Sequence, residues 1–524
     1  MLNRIFALVV LSLSLVLSQA SLVAAQEPEK SDKDAKAAET KPDAKPAPEP
    51  KEESSVTDHT IKIGGQTIAY KATASTTLIK DDKGDPTASI FTIAYTRSDV
   101  KDISQRPVSF VYNGGPGSSS IWLHMGAFGP RRVVTTDAGP TPPPPFKLVD
   151  NADCLLDKTD LVFVDPVGTG FSRAVGKSKD KDFWGIDQDV KSLAQFIATY
   201  ISRNGRWNSP KFLIGESYGT FRSAALGNYL QNHNGMYLNG IDLISSVLDL
   251  GTISFPPGND MPYVFYVPSY AATASYHKIL QNPPADLNAF LAEARQFASG
   301  EYAAALMKGA NISAADKADI AKKLSRFTGL SEDYLVKADL RVNLPQFMVE
   351  LQRSRKLSTG RLDARFSGPA PDLLAEYADY DPQSTAVEGA FVAAFNNYVR
   401  EELKFGKDLT YNTAANFAGA QWEWKRERGG GYGFPGAPNV EEDLVEAMIT
   451  NPHLHVEVEN GLYDLATPFF ATEYTMTHLE LPEDLQKNIA LKYYDAGHMM
   501  YLHEQDLSKL KTNVAAFLDN ATKQ

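Results

Sequence analysis

The chain has 524 residues, more than one simple core usually holds, so a large domain carrying an insertion, or two domains, is expected. With 43% apolar, 10% aromatic and 22% charged residues it is not a disordered chain, and a formal net charge of −12 lacks the basic footprint of a nucleic-acid binder. The single cysteine, Cys154, excludes an intramolecular disulfide, Cys-based zinc sites and paired-thiol redox chemistry; among apolar neighbours it reads as buried filler.

Arg4, the apolar run 5–17 and the small residues Val23-Ala24-Ala25 read as a secretory signal over 1–25, cleaved before Gln26. Ser18, Gln19 and Ser21 dilute the run as an anchor, so no stable membrane insertion is expected after cleavage. Residues 26–57, almost wholly Lys, Glu, Asp, Pro and Ala, form a disordered tether that cannot bury enough surface to offset its ordering entropy. An exported chain free of disulfides suits a bacterial periplasm or the extracellular space.

Folding begins near Thr60, where IKIGGQTIAYKA and ASIFTIAYTR alternate with period two and predict antiparallel strands. From Arg106 the pattern changes: PVSFVYN, TDLVFVD, KFLIGES and IDLISSVLDL are short continuous apolar runs, as in strands buried on both faces. Apolar residues at 186, 190, 193, 194, 197 and 201 line one face of a helix between them. This alternation predicts an α/β fold, a mostly parallel central sheet with helices on both faces. Residues 270–440 interrupt it with helix-rich sequence, Ser313 and Ser384 serving as N-caps. Strands LHVEVENG and NIALKYYDAGH then return, and LSKLKTNVAAFLDNAT closes as a helix. The core is therefore expected over 58–269 and 441–524, with 270–440 as a helical cap insertion. GPTPPPPF (139–146) reads as a rigid polyproline loop and RERGGGYGFPG as a flexible loop, since it lacks the strand before and GK[ST] after that a phosphate cradle needs.

Gly215-Glu216-Ser217-Tyr218-Gly219 follows the run Phe212-Leu213-Ile214 and precedes a helical stretch, the context a G-x-S-x-G nucleophile elbow requires. Such an elbow in an α/β-hydrolase fold needs an acid and then a histidine downstream. Of nine histidines, His498 follows a strand in Asp495-Ala496-Gly497-His498, at a sheet edge where a catalytic base belongs. His478 reads as helical, His503 as the start of the last helix, and His453 with His455 lack a third ligand nearby, so no metal is expected. Asp464 lies just past the preceding strand and fits the acid; Asp495, adjacent to His498, is the runner-up with awkward geometry.

Asn113-Gly114-Gly115-Pro116-Gly117-Ser118-Ser119-Ser120 resembles the NGGPG segment of serine carboxypeptidases, the S10 peptidases. Gly168-Thr169-Gly170-Phe171-Ser172 after Asp165-Pro166-Val167, the GESYG elbow, the stretch from Asp464 to Pro468 and Ala496-Gly497-His498 resemble that family too, in its order. Ser118 stands where many eukaryotic members carry cysteine, Leu462 replaces the first Asp of the common G-D-x-D, and the Asp165-Pro166 junction is one residue shorter.

The resemblance implies a serine-type carboxypeptidase that releases C-terminal residues through an acyl-enzyme, with no cofactor and a peptide bearing a free terminal carboxylate as partner. Ser217 would attack, His498 would move the proton and Asp464 would hold the imidazole. Gly115 and Tyr218 would supply the oxyanion hole, where one donor is worth about 3 kcal/mol. Asn113, Gly114 and Glu216 would bind the terminal carboxylate. Glu216 beside a carboxylate is a like-charge clash unless one of them is protonated, so a pH optimum below neutral is expected. An esterase or acyltransferase with the same triad, and a catalytically silent binding protein on the same fold, are the rivals.

Overall fold

The computed structural model describes residues 49–417, 421–426 and 436–523. The expected signal at 1–25, the tether up to 48 and the loop at 427–435 lie outside the described residues.

Gly64 and Gly65, at φ +56° and +81°, turn strand β1 (Ser54–Ile63) straight into β2 (Gln66–Lys80), the positive-φ pair that matches strand twist in a two-residue hairpin. β1 starts inside the expected tether, because β2 is long enough to pair Ser75 with Ser54. β3 (Pro86–Arg97) adds a third antiparallel strand.

The strands that follow are β4 (Val108–Tyr112), β5 (Asp160–Val164), β6 (Lys211–Glu216), β7 (Gly240–Ile244), β8 (His455–Gly461) and β9 (Ile489–Tyr494). Across the sheet the order is β1-β2-β3-β5-β4-β6-β7-β8-β9, and every pair from β5 to β9 is parallel. The two-residue strand Arg173–Ala174 pairs with β3 off this path. The chain enters the parallel part at β4, steps to β5 on one side, then crosses to β6 on the other. The carboxyl ends of β4 and β6 therefore lie side by side at the switch point, where open α/β sheets bind ligands.

Burial on both faces explains the unbroken apolar runs. Val111, Phe163, Phe212 and Ile214 pack against Leu510, Val514 and Phe517 of the closing helix (Glu504–Ala521). Their neighbours Phe110, Val162 and Leu213 point the other way, onto Phe196 of α1 (Ile186–Arg203) and Phe221 and Leu230 of α2 (Tyr218–Asn234).

The helical region begins earlier than the expected boundary at 270: α3 (Met261–Tyr276) runs through it. Twelve of its residues are buried, so it lacks the one-sided periodicity that would have marked it. Ser313 caps the helix Ala314–Thr328 as expected, accepting from Asp316 N. Ser384 does not cap. Asp381 accepts from the amides of Gln383 and Ser384, and Pro382 opens the helix Pro382–Asn397, so Ser384 falls in its first turn. A third apolar cluster joins Phe265, Leu291, Leu324 and Phe347 of this region to Leu465 and Phe469, just beyond β8. Among the described residues no helix is long and apolar enough to cross a membrane.

Candidate active site

Ser217 occupies the one-residue joint between β6 and α2, at φ +61° and ψ −128°, a conformation costly for any residue with a side chain. The flanking glycines make the joint possible. A methyl on Gly215 would stand 2.3 Å from the Gly219 carbonyl oxygen and 2.6 Å from Ser223 Oγ. The Ser217 amide donates to Ile244 O (2.9 Å) and its carbonyl accepts from Thr220 N (2.8 Å), pinning the turn to β7 and to α2. Ser217 is partly exposed, while the residues on either side are buried. The first turn of the 17-residue α2 begins at Tyr218, so the amide dipoles favour negative charge beside the serine.

Asp464 and His498 arrive from the ends of β8 and β9, beyond β7 in the sheet. Asp464 follows β8 and is fully buried; its Oδ1 accepts from the amides of Ala466 (2.7 Å) and Thr467 (2.9 Å). Its Oδ2 lies 2.7 Å from His498 Nδ1 and also accepts from Thr467 Oγ1 at 2.7 Å. With Nδ1 directed at a carboxylate, the proton belongs there and Nε2 is left as the base. Asp495 is exposed and plays no part in this contact. Burial alone would lower the His498 pKa; the charge and hydrogen bond of Asp464, with a contribution from Glu216, outweigh it and hold the imidazole above its ordinary value.

The His498 loop is braced from three sides. Its amide donates to Leu362 O (2.6 Å), its carbonyl accepts from Ser245 Oγ (2.7 Å), and the Gly497 amide donates to Asp363 Oδ2 (3.1 Å). Arg365 holds Asp363 at 2.7 Å, both buried. Glycine is required at 497 because a methyl there would sit 2.5 Å from Asp363. Sequence reading did not find Asp363, which lies more than a hundred residues from its target. Thr467 was also missed, although Asp464-x-x-Thr467 is a side-chain turn pattern that could have suggested it.

The loop after β4 lies against the elbow. Tyr112 is in register with Gly215, and a methyl on Gly114 would come within 2.4 Å of Tyr218 N and 2.6 Å of Gly219 N. Gly115 follows at φ +105° and is exposed. Asn113 Nδ2 donates to Glu216 Oε1 at 2.8 Å, and Asn113 Oδ1 accepts from Leu123 N at 3.0 Å. Beneath them the fully buried Arg222 donates to Asn113 O (2.8 Å) and pairs with Asp189 (2.6 Å). Burial drives the Glu216 carboxyl up to about 7, against smaller opposing effects of His498, Tyr501 and Asn113. All eight residues expected at the site are thus gathered at adjoining strand ends: a serine in a strained turn, a carboxylate-oriented imidazole, a glycine loop against the helix start, and a buried amide–carboxyl pair. Cys154 is elsewhere, buried, its thiol pushed up to about 12 by desolvation. Among the described residues no group of three acidic, histidine or cysteine side chains could hold a metal ion.

The family model described as serine carboxypeptidase matches residues 85–279. Pheromone-processing carboxypeptidase KEX1 from two Saccharomyces cerevisiae strains, JAY291 and S288c, is 30% identical over 161 residues, covering 29% of this chain and 21% of the relative. The chain thus spans about a fifth of the length of these curated relatives. The crystal structure of KEX1(delta)p, a prohormone-processing carboxypeptidase from Saccharomyces cerevisiae, covers 86% of this chain and 91% of its own at 17% identity, with a TM-score of 0.52. At that identity the likeness is one of fold.

Proposed function

We propose that this chain, whose residues 85–279 match the family model described as serine carboxypeptidase, is a serine-type carboxypeptidase releasing C-terminal residues from peptides. The observation that carries the reading is the buried Asn113–Glu216 pair beside the elbow. A triad alone serves any acyl transfer, whereas a carboxyl next to the nucleophile that burial keeps protonated below a pH of about 7 suits a substrate whose own carboxylate needs a hydrogen-bond donor.

In this mechanism Ser217 Oγ attacks the carbonyl of the last peptide bond while His498 Nε2 takes its proton. The tetrahedral oxyanion is met by the amides of Gly115 and Tyr218. His498 returns the proton to the leaving amine, the C–N bond breaks, and the N-terminal part stays on Ser217 as an ester. Water, deprotonated by His498, then hydrolyses that ester and restores the serine. Asp464 keeps the tautomer and stabilises the imidazolium throughout.

The test compares wild type and Ser217→Ala on an N-blocked dipeptide and its C-terminal amide near pH 5 and pH 8. Wild type should release the terminal amino acid, with the amide the poorer substrate at acid pH. Ser217→Ala should lose about six orders of magnitude in kcat. Ester cleavage that depends on Ser217, without peptide release, would move the assignment to an esterase or acyltransferase.

The 1–25 segment supports export to a periplasm or the extracellular space as the setting. N-terminal sequencing of the exported protein should begin at Gln26; an intact Met1 would overturn cleavage.

A further inference from the structure

Tyr501 lies three residues beyond His498, in the tight turn Met500–Leu502, and is 2% exposed. Its ring is placed by Gly126: a methyl there would stand 2.6 and 2.7 Å from two ring carbons and 3.1 Å from Phe391. The ring so fixed turns its hydroxyl toward Glu216 and Asn113. The hydroxyl and the Glu216 carboxyl lie close enough to act on each other as hydrogen-bond partners, yet among the described residues neither the hydroxyl nor Glu216 Oε2 closes a well-aligned hydrogen bond. Some buried tyrosines elsewhere close such bonds, Tyr112 to Ser223 at 2.9 Å and Tyr494 to Glu459 at 2.7 Å, while Tyr218 and Tyr270 do not. Two buried polar atoms that face each other without an aligned bond, beside one hydrogen-bonded pair, match a group with several acceptor positions set between them.

Resting on the carboxypeptidase reading above, we propose that the Tyr501 hydroxyl is a further recognition donor for the substrate's terminal carboxylate, beside Asn113 and Glu216, and so a determinant of the preference for free C-termini over esters and amides. A carboxylate offers two oxygens and about four lone-pair positions, more than one protonated carboxyl can fill. Tyr501 donates to one oxygen while the Glu216 proton goes to the other. Burial pushes the Tyr501 phenol well above its usual range, so it keeps its proton wherever the enzyme works. An ester or amide presents no anion to this donor and gains little from it.

The experiment measures kcat and KM for wild type and Tyr501→Phe on an N-blocked dipeptide, its methyl ester and its amide at pH 5.5. A charge-assisted hydrogen bond lost only by the free acid should lower its kcat/KM by about 10- to 100-fold, mostly through KM. The ester and amide should change less than about twofold, the size of an effect worth a few tenths of a kcal/mol. An equal loss on all three substrates, or an unchanged acid-to-ester ratio, would overturn the role of Tyr501 and leave the carboxypeptidase reading standing. A wild type with no preference for the free acid would sink that reading itself, and this inference with it. Should Tyr501→Phe fail to fold, by melting curve or by loss of fluorophosphonate labelling of Ser217, Tyr501→Met carries the same comparison with the same outcomes.

Discussion

Glu216 and His498 set opposing demands on protonation. In the proposed mechanism the base must be neutral, whereas a carboxyl facing the substrate's carboxylate must keep its proton. Burial raises Glu216 to about 7, so below that pH it can donate, and above it the charge repels the substrate. His498 is held above its ordinary value in part by the Glu216 charge. Protonating Glu216 removes that contribution and lets the imidazole lose its proton more readily. Glu216→Gln donates at every pH. Its kcat/KM for peptides should therefore stop falling as pH rises through 7, and its peptide and ester profiles should converge. A pH–rate series from 4.5 to 9 checks this; an alkaline limb retained near 7 would contradict it.

At the scale of elements, the site depends on how closely the loop after β4 lies on the start of α2. That approach exists because residue 114 has no side chain. Gly114→Ala puts a methyl where Tyr218 N stands at 2.4 Å and Glu216 O at 2.6 Å, both backbone atoms that cannot rotate away. The loop must lift, carrying Asn113 and Gly115 with it. Losing one oxyanion donor costs about 10²- to 10³-fold in kcat, so Gly114→Ala should lose at least that on ester and peptide alike. The sheet, packed from other residues, should still melt cooperatively. Kinetics on both substrates, with a thermal melt, separate this from general unfolding; ester turnover at the wild-type rate would refute it.

The whole molecule stores an acid preference in its sheet as well. Asp242 of β7 is in register with Glu457 of β8, and Glu459 lies two residues on, toward the same face. Lys492 reaches Glu457 at 3.6 Å and Tyr494 donates to Glu459 at 2.7 Å, while both Asp242 oxygens lack partners among the described residues. Burial, and then mutual repulsion, raise Asp242 and Glu459 well above the usual carboxyl range. The folded state thus binds more protons than the unfolded one. The stability these groups contribute is fully present below the unfolded carboxyl values of about 4 and is lost as pH rises through their raised folded values. Asp242→Asn removes one of these groups and adds a donor for its neighbours. It should raise stability at pH 8 by about 1–3 kcal/mol, the cost of a buried unsatisfied group, with the gain vanishing near pH 4. Thermal melts at the two pH values decide; an equal effect at both would rule out titration as the cause.

Some of this was legible along the chain because its physical cause is local. A strained serine turn needs glycine at 215 and 219, a strand buried on both faces needs an unbroken apolar run, and a two-residue hairpin needs Gly64-Gly65. These features identified the elbow, the α/β core and the order serine, acid, histidine. Ser384 and the start of α3 were misread because a nearer cap, Asp381, and burial on nearly every side override local pattern. What the chain order could not supply are contacts that close only when distant segments meet: Asp363 bracing His498, Arg222 under Asn113, Tyr501 turned onto Glu216 by Gly126. The sequence by itself determined which residues are candidates for the chemistry, since backbone geometry and side-chain type are local. Only the tertiary structure decided their protonation and orientation, because desolvation and hydrogen bonding depend on what packs around each group.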